Sequence, residues 1–355
     1  MKILQCVYSG LGGVSAVAFS LVDGAKQSKK KIEFHFLFGG VEKLLQSHKI
    51  DCVKNDISFK YFKKNVFVSL LRFLKSEKFN VIIIHDKHIF PYFIYKLFYK
   101  VKLIYVHHTP DETKRLIDWV SFIINSKLSD NVVLVSKRPK KNILIKLCNI
   151  FGIKFNIINN GINTHKFQKK MKKARNHFLL GMAARFVKEK KQDILLNIIS
   201  KNIFYFRKNK IKLSLAGSGP TLKKYIKKTN MLKVNDCVKF EGNLNTSNLL
   251  KWYDKLDLYL HISEGETSST SILQALSFGL PVVASKIEGN INLLKFNDRK
   301  PNMILVKNKN DKIFQKIKFI KESKTVQKQL SINSRYSIKT FFSSKTMFNK
   351  YNKLF

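Results

Sequence analysis

The segment from Leu258 to Ala284 constrains the fold more than any other part of this chain. It reads LYLHISEGETSSTSILQALSFGLPVVA: an apolar run, a hydroxyl-rich stretch, apolar residues at helical spacing, and another apolar run after Gly279 and Pro281. Short apolar runs are typical of strands buried in a parallel sheet. The segment therefore predicts strand, loop, helix and strand, which is the repeating unit of α/β folds.

The hydroxyl-rich stretch of this segment predicts an anion-binding site. Its Ser and Thr side chains can cap a helix, and the first turn of that helix leaves backbone N–H groups unpaired. A helix N-terminus of this kind binds anions, because its N–H groups and its dipole both favour negative charge. Gly279 can adopt the left-handed conformation that ends the helix, and Pro281 prevents the helix from resuming.

This pattern resembles the C-terminal half of the retaining GT-B glycosyltransferases of glycosyltransferase family 4, the glycosyl transferases group 1. The family signature is a Glu, seven residues, a second Glu, and then an Ala and a Gly-x-Pro-Val strand. The first Glu corresponds to Glu266, but the second position is Gln274. In the family the second carboxylate holds the donor ribose. The Gln274 amide oxygen can accept one such hydrogen bond without the charge that strengthens it.

Other landmarks of the family occur in the expected order. Ser9 to Val14, with Gly12 and Gly13, resembles the N-terminal glycine loop, and Asn159 to Asn163 resembles the crossing between the two domains. The strand from Gly181 to Phe186 resembles the first strand of the second domain, and Gly217 lies in the glycine turn after the next strand. One departure is Asn292, where the family often carries a Glu. The resemblance covers most of the chain and is strongest from Asn159 to Leu294.

The resemblance implies an α/β chain with the GT-B fold, two Rossmann-like domains facing each other across a cleft. We expect an acceptor-binding domain at 1–165, a nucleotide-sugar-binding domain at 166–335, and a C-terminal helix at 336–355 that crosses back to the first domain. Apolar runs alternate with longer stretches in the first half, as a parallel sheet requires. They are Ile3 to Val7, Phe34 to Phe38, Val81 to Ile84, Leu103 to Val106 and Val132 to Val135.

Residue roles follow from the same resemblance. Breaking a sugar–phosphate bond leaves negative charge on the nucleoside diphosphate, so fixed cations at that position are the first requirement. The expected catalytic residues are Glu266, His107, His108, Arg185 and Lys190. The residues expected to bind the nucleotide sugar are Gly12, Gly13, Arg185, Lys190, Gly217, Glu266, Thr267, Ser268, Ser269, Thr270, Ser271 and Gln274. Because the sequence contains no Asp-x-Asp pair, we expect no metal, and the nucleotide-diphosphate sugar is a substrate, so no cofactor is expected.

The charge of the chain is strongly positive, with 67 Lys and Arg against 23 Asp and Glu and a formal net charge of +44. The basic residues are mostly Lys and are spread along the whole chain, so nucleic acid is not an expected partner. Part of the Lys excess is explained equally well by an AT-rich coding sequence. Another part fits contact with an anionic membrane, because residues 62–75 and 90–101 mix Lys with aromatic residues. Both segments also fit ordinary core helices.

Four widely spaced cysteines predict buried free thiols in a reducing compartment. The expected location is the cytoplasm, with contact to the cytoplasmic face of the inner membrane left open. The favoured function is transfer of a sugar from a nucleotide-diphosphate sugar to a glycan or lipid-linked acceptor, in synthesis of bacterial capsule, lipopolysaccharide or O-antigen. The alternative is a non-catalytic basic GT-B protein that binds anionic membrane or nucleic acid.

Overall fold

The structure is a computed structural model that describes residues 1–8, 12–39, 46–62, 67–85, 89–111, 114–168 and 176–355. Contacts among these residues divide the chain into two compact units. The first unit comprises Met1–Asn163 and Ser343–Phe355, and the second comprises Thr164–Phe342. Ser9, Gly10 and Leu11 of the predicted glycine loop, and residues 63–66 of the segment 62–75, lie outside the described residues.

The first unit is built from parallel strands that alternate with helices. Its strands are β1 (Lys2–Tyr8), β2 (Glu33–Gly39), β3 (Ser58–Phe62), β4 (Val81–Ile84), β5 (Lys102–His107), β6 (Asn131–Leu134) and β7 (Asn156–Ile157). Its helices are α1 (Gly13–Gln27), α2 (Gln46–Lys54), α3 (Phe67–Glu77), α4 (Phe90–Phe98), α5 (Leu116–Leu128) and α6 (Ile143–Ile150). Among the described residues the seven-stranded sheet has the order β3-β2-β1-β4-β5-β6-β7.

The second unit repeats this plan. Its strands are β8 (Phe178–Ala183), β9 (Ile211–Ala216), β10 (Val238–Gly242), β11 (Leu258–His261), β12 (Val282–Ser285), β13 (Phe296–Asn297), β14 (Lys300–Pro301) and β15 (Ile304–Val306). Its helices are α7 (Gln192–Lys201), α8 (Ile203–Lys208), α9 (Leu222–Met231), α10 (Thr246–Lys255), α11 (Thr270–Ser277), α12 (Glu288–Leu293), α13 (Asn310–Glu322) and α14 (Lys324–Phe341), with a 3-10 turn at Lys188–Lys190. Its parallel six-stranded sheet has the order β10-β9-β8-β11-β12-β15, and β13 and β14 form a separate antiparallel pair.

Both parallel sheets have the order of a Rossmann-like fold, which confirms the predicted α/β class. In the second unit the strand order reverses between β8 and β11. The two chain connections leave this point in opposite directions, which opens a crevice at the carboxyl ends of the strands. The loops after β8 and β11 are therefore the positions where the fold favours a ligand.

The predicted strands of the first half are confirmed, and Val81 to Ile84 is β4 without any change of bounds. The short strands β3 and β7 lie at the two edges of the sheet and were not predicted. Edge strands are paired on one side only and carry a weaker apolar signal. In β3, Ser58, Phe59 and Lys60 are exposed, and both residues of β7 are exposed.

The predicted C-terminal helix at 336–355 is the end of α14 followed by a separate helix, α15 (Ser344–Tyr351). Two serines cap the starts of the last two helices and separate α13, α14 and α15 from one another. The Ser323 hydroxyl accepts a hydrogen bond from the Val326 N–H at 3.2 Å, and the Ser343 hydroxyl accepts one from the Thr346 N–H at 3.1 Å. Side-chain capping of this kind satisfies N–H groups at a new helix start.

Helix α15 belongs to the first unit, where Met347, Phe348 and Tyr351 join the core around α1. Gly24 of α1 makes this packing possible. A Cβ at Gly24 would lie 2.2 Å from the Ser344 carbonyl oxygen and 2.6 Å from the Phe348 Cβ. The two helices can approach this closely only because that side chain is absent.

No helix in the described part of the chain combines the length and the apolar character needed to cross a membrane. The cysteines Cys6, Cys52, Cys148 and Cys237 are buried and form no disulfide with one another, as predicted.

Candidate active site

Glu266 lies in the loop after β11 and is the centre of a buried cluster of charged side chains. Its Oε1 accepts hydrogen bonds from the Lys190 ammonium and, at 2.6 Å, from His261 Nε2. The side chain of His261 is 2% exposed and that of Glu266 is 13% exposed. Lys190 follows β8 and Glu266 follows β11, so the cluster spans the point where the strand order reverses. The structure therefore brings the predicted residues Glu266 and Lys190 together.

The cluster keeps Glu266 ionised. Burial by itself raises the pKa of this carboxyl group, but the positive charge of Lys190 and the hydrogen bond from His261 outweigh burial and lower the pKa to about 2. A carboxylate with two such partners carries its charge at every physiological pH. Because a Lys ammonium has three N–H donors, Lys190 can hold Glu266 and still donate to a second anion.

Backbone contacts hold the loops after β8 and β11 against each other. The Glu264 N–H donates to the Glu189 carbonyl oxygen at 2.9 Å, and the Ser263 hydroxyl donates to the same oxygen at 3.2 Å. At the rim, Lys191 and Glu264 form an ion pair of 2.8 Å. A Cβ at Gly289 would lie 2.1 Å from the Glu266 carbonyl oxygen, so α12 also packs directly against this loop. These contacts position Glu266 on rigid backbone.

The hydroxyl-rich stretch forms the start of α11, as predicted. Ser269 is the N-cap, and its hydroxyl accepts a hydrogen bond from the Ile272 N–H at 3.4 Å. Thr267, Ser268 and Ser269 precede the helix, whereas Thr270 and Ser271 form its first turn. Gly279 has φ +67°, and the predicted left-handed helix end is confirmed. The N-terminus of α11 thus lies immediately after Glu266 in the chain.

Two glycines of the loop after β9, Gly217 and Gly219, pack tightly against the backbone after β8 that carries Arg185. A Cβ at Gly217 would lie 2.1 Å from the Ala184 carbonyl oxygen, and Gly217 has φ +128°. At Gly219, where φ is +153°, a Cβ would lie 2.4 Å from the Phe186 carbonyl oxygen. Only glycine fits at both positions, because each combines a close contact with a conformation that L side chains rarely adopt.

Arg185 differs from Lys190 in its surroundings. Its side chain is exposed and forms no ion pair with the described residues, whereas its carbonyl oxygen accepts a hydrogen bond from Gln192 Nε2 at 2.9 Å. Gln192 is 1% exposed and fixes the backbone after β8. Arg185 is therefore a guanidinium on a rigid strand end that is available to an anionic ligand.

Gln274 lies on α11, eight residues after Glu266 in the sequence, and is 8% exposed. Asn292 lies on α12, where its Nδ2 donates to the Glu288 carbonyl oxygen at 2.9 Å. Both positions have an amide where the family pattern has a carboxylate. The carboxyl group whose pKa is lowered in this region is that of Glu266.

The remaining predicted residues belong to the first unit. Gly12 is the N-cap of α1, and Gly13 is its first residue. His107 is 3% exposed, and its ring makes an edge contact with Phe122 of α5 at 4.8 Å between ring centroids. His108 follows β5 and forms a hydrogen bond of 2.8 Å with His85, which follows β4.

The two histidines at the end of β5, His107 within the strand and His108 after it, are therefore not equivalent. His107 packs under α5, whereas His108 belongs to a polar chain at the carboxyl edge of the sheet. Gln5 Nε2 donates to the Ala18 carbonyl oxygen at 3.1 Å, so its Oε1 accepts from His85 Nε2 at 3.2 Å, and His85 Nδ1 then accepts from His108 Nε2. Burial lowers the pKa of His108 to about 4, so its ring is neutral at physiological pH. Of the two predicted histidines, His108 has the surroundings of a site residue.

Sequence reasoning missed the role of His261. It treated this residue as part of an apolar strand, because the residues on both sides of it are buried and apolar. The signal available was a His at the last position of a strand with a Glu five residues later, which places both at the same loop. Among the described residues no group of three His, Cys, Asp or Glu side chains is arranged to hold a metal ion, and metal independence stays a prediction.

Residues 163–336, which include this whole cluster, match the family model of the glycosyl transferases group 1. These residues form a glycosyl transferases group 1 domain. The site built from Glu266, Lys190 and His261 is thus part of a group 1 glycosyltransferase domain.

Two curated proteins share parts of the sequence. Over 76 residues the chain is 33% identical to α-monoglucosyldiacylglycerol synthase of Streptococcus pneumoniae, which covers 21% of this chain and 17% of that protein. Over 145 residues it is 31% identical to protein CapJ of Staphylococcus aureus, which covers 40% of this chain and 36% of that protein. The matches thus span well under half of both relatives.

The fold of the chain is similar to that of Anabaena HepE, whose crystal structure is a complex with UDP and glucose. The TM-score is 0.79 at 17% sequence identity, and the match covers 99% of this chain and 98% of that chain. This likeness, together with the two parallel sheets, shows the GT-B fold.

Proposed function

We propose that the chain is a retaining, metal-independent hexosyltransferase that moves a sugar from a nucleotide-diphosphate sugar to a glycan or lipid-linked acceptor. The observation that carries the proposal is the buried Glu266 carboxylate, held by Lys190 and His261 where the strand order reverses. A fixed negative charge beside an anion-binding helix start suits a substrate that develops positive charge on the sugar and negative charge on the diphosphate.

In this proposal each predicted site residue has one role in binding or in stabilising charge. Arg185 and Lys190 stabilise the charge that develops on the leaving diphosphate, and the N–H groups at the start of α11 add to it. Glu266 positions the transferred sugar, and the leaving phosphate oxygen takes the acceptor proton. A contact of His108 with the donor sugar stays a prediction. Gln274 accepts a hydrogen bond from the donor ribose.

The pathway is proposed from the relatives. CapJ and α-monoglucosyldiacylglycerol synthase share sequence with this chain, and HepE was crystallised with UDP and glucose. The HepE complex favours a uridine nucleotide donor, and the synthase favours a glycolipid product. Synthesis of a bacterial surface polysaccharide or glycolipid at the cytoplasmic face of the membrane is part of the same proposal.

The first experiment measures thermal stability of the full chain with UDP-, GDP-, ADP- and CMP-sugars, with and without EDTA. A ligand that binds the folded state raises Tm, so one nucleotide should give a shift that survives EDTA. A shift that EDTA removes would contradict metal independence. No shift with any nucleotide, together with salt-sensitive binding to anionic vesicles or RNA, would favour the non-catalytic alternative.

The second experiment compares Arg185→Ala with Lys188→Ala, a matched removal of an exposed cation from the adjacent turn. Release of the nucleoside diphosphate should fall by about 10²-fold or more in Arg185→Ala and stay near wild type in Lys188→Ala. Equal rates in both variants would remove Arg185 from the phosphate site. An NMR assignment of the product anomer tests retention.

A further inference from the structure

The outer surface of helices α4, α5 and α6 carries large apolar side chains that the fold leaves in solvent. Leu97 is 65% exposed, Phe98 76%, Leu116 81% and Ile117 62%. Further exposed apolar residues on or next to these helices are Phe90, Val120, Ile124, Ile143, Ile150 and Phe151. We call the exposed side of the three helices the outer helix face. Extensive exposed apolar surface is rare on soluble monomers and marks an interaction site.

The three helices lie over the same side of the first sheet. Tyr92 and Tyr95 of α4 pack in a core with Ile82 and Leu103, and Phe122 of α5 and Leu144 of α6 pack in a core with Tyr105 and Leu134. The strands β4, β5, β6 and β7 are neighbours in that order, so the connecting helices lie beside one another. Their exposed residues therefore point away from the sheet together.

The core does not require these exposed side chains. A helix on a sheet normally has one apolar side and one polar side. In α4, the buried side is already supplied by Tyr92 and Tyr95, yet Phe90, Leu97 and Phe98 occupy positions that solvent reaches. The helix is thus apolar on its inner side and on much of its outer side.

Charge on and around the outer helix face is positive. Exposed lysines accompany the apolar residues at Lys100 after α4, Lys127 in the last turn of α5 and Lys146 on α6. The single acidic residue within the three helices is Asp118, which is 8% exposed and accepts a hydrogen bond from the Arg115 N–H at 2.9 Å. Its charge is used to cap α5 and does not offset the lysines at the surface.

We propose that the outer helix face docks the protein on an anionic lipid bilayer. Apolar side chains enter the interfacial region of a bilayer, and lysines beside them attract anionic headgroups. A second copy of this chain fits less well, because it would bring the same lysines against each other. Nucleic acid would use the lysines but leave Leu97, Phe98, Leu116 and Ile117 in water. The proposal does not depend on the proposed reaction, since it concerns binding alone.

The test measures binding of the full chain to sedimented vesicles of phosphatidylcholine, with and without phosphatidylglycerol, at low and high salt. The variants Leu97→Gln/Phe98→Gln and Leu116→Gln/Ile117→Gln remove apolar surface without changing the charge. The matched control is Phe204→Gln/Met231→Gln, which changes two similarly exposed residues of the second unit, 86% and 74% exposed.

We expect the wild type and the control to bind anionic vesicles and to release them as salt rises. Each outer-face variant should bind at least about tenfold more weakly, because two apolar side chains no longer leave water. Unchanged Tm and an unchanged Tm shift with the nucleotide sugar show that the variants are folded and separate this result from the proposed function.

Two outcomes would overturn the proposal. The first is equal vesicle binding by the wild type, both variants and the control, which would leave no role for the outer helix face. The second is a dimer in light scattering that the variants convert to monomer while vesicle binding is unchanged, which would make this face a protein interface.

Discussion

At the scale of single residues, the most perturbed carboxylate described is that of Glu266. The Glu266 side chain is 13% exposed, and Lys190 and His261 both donate to the same Oε1 atom. This arrangement lowers the pKa of Glu266 from 4.5 to about 2, although burial by itself acts in the opposite direction. The ionised form is therefore favoured by the folded state, which links stability to pH.

The stability contribution of Glu266 should be fully present above its unfolded pKa and should be lost as pH falls towards its folded pKa. The shift corresponds to up to about 3 kcal/mol of unfolding free energy. Urea unfolding of wild type and Glu266→Gln between neutral and acid pH measures it. The difference in the free energy of unfolding between wild type and Glu266→Gln should become smaller as pH falls below the usual pKa of a carboxyl group. A difference that is constant with pH would contradict the ionised cluster.

Gln274 offers a second test at this scale, because it stands where the family pattern has a carboxylate. A charged acceptor forms hydrogen bonds about twice as strong as a neutral one, so Gln274→Glu should lower the Kd for the donor nucleotide by about 3- to 10-fold. Calorimetric titration measures the change. A nucleotide that lacks the ribose hydroxyls is the control, and it should gain nothing from the substitution.

At the scale of elements, one helix pair shows how a missing side chain permits a contact. Helix α15 adds Met347, Phe348 and Tyr351 to the first core, and it approaches α1 at Gly24, where a Cβ would lie 2.2 Å from a carbonyl oxygen. The contact distance leaves no space for a methyl group. Close packing of two helices thus depends on one glycine.

Gly24→Ala should destabilise the first unit by about 1–3 kcal/mol, because the extra methyl group forces α15 away from α1. Gly39→Ala is the matched control in the same unit, since a Cβ there meets no atom within 4 Å. Thermal and urea unfolding of both variants measure the difference. If the two variants are equally stable, the packing of α15 against α1 is not as described.

At the scale of the whole molecule, net charge is the dominant feature. With a formal net charge of +44, the positive side chains repel one another in the folded state. Acidic partners are few, because the chain has 23 Asp and Glu. Several of these are already in ion pairs, such as Glu77 with Lys2 at 2.6 Å and Asp236 with Arg207 at 3.0 Å. Most lysines therefore face water or a ligand without a neutralising carboxylate.

Salt should consequently stabilise this protein. Raising the ionic strength shortens the Debye length and weakens the repulsion between lysines, so Tm should rise by about 2–4 °C, equivalent to about 1 kcal/mol. A thermal scan across a sodium chloride series measures it. A Tm that falls with salt would mean that the ion pairs outweigh the repulsion.

The sequence by itself determined the alternation of strands and helices, because buried apolar runs and the Ser269, Gly279 and Pro281 signals are local. It also predicted Glu266 and Lys190 as site residues, through the order of the family motifs along the chain. It could not determine that these two side chains meet, nor that His261 joins them, because strand order places residues 76 positions apart at one edge of a sheet.

Tertiary structure alone also decided which of two neighbouring histidines packs under α5, where α15 belongs, and which apolar residues remain in solvent. Phe98 and Phe122 look alike in the sequence, yet Phe98 is 76% exposed and Phe122 is fully buried. The physical reason is that burial depends on which neighbours the rest of the chain supplies, and pairwise spacing along one helix does not contain that information.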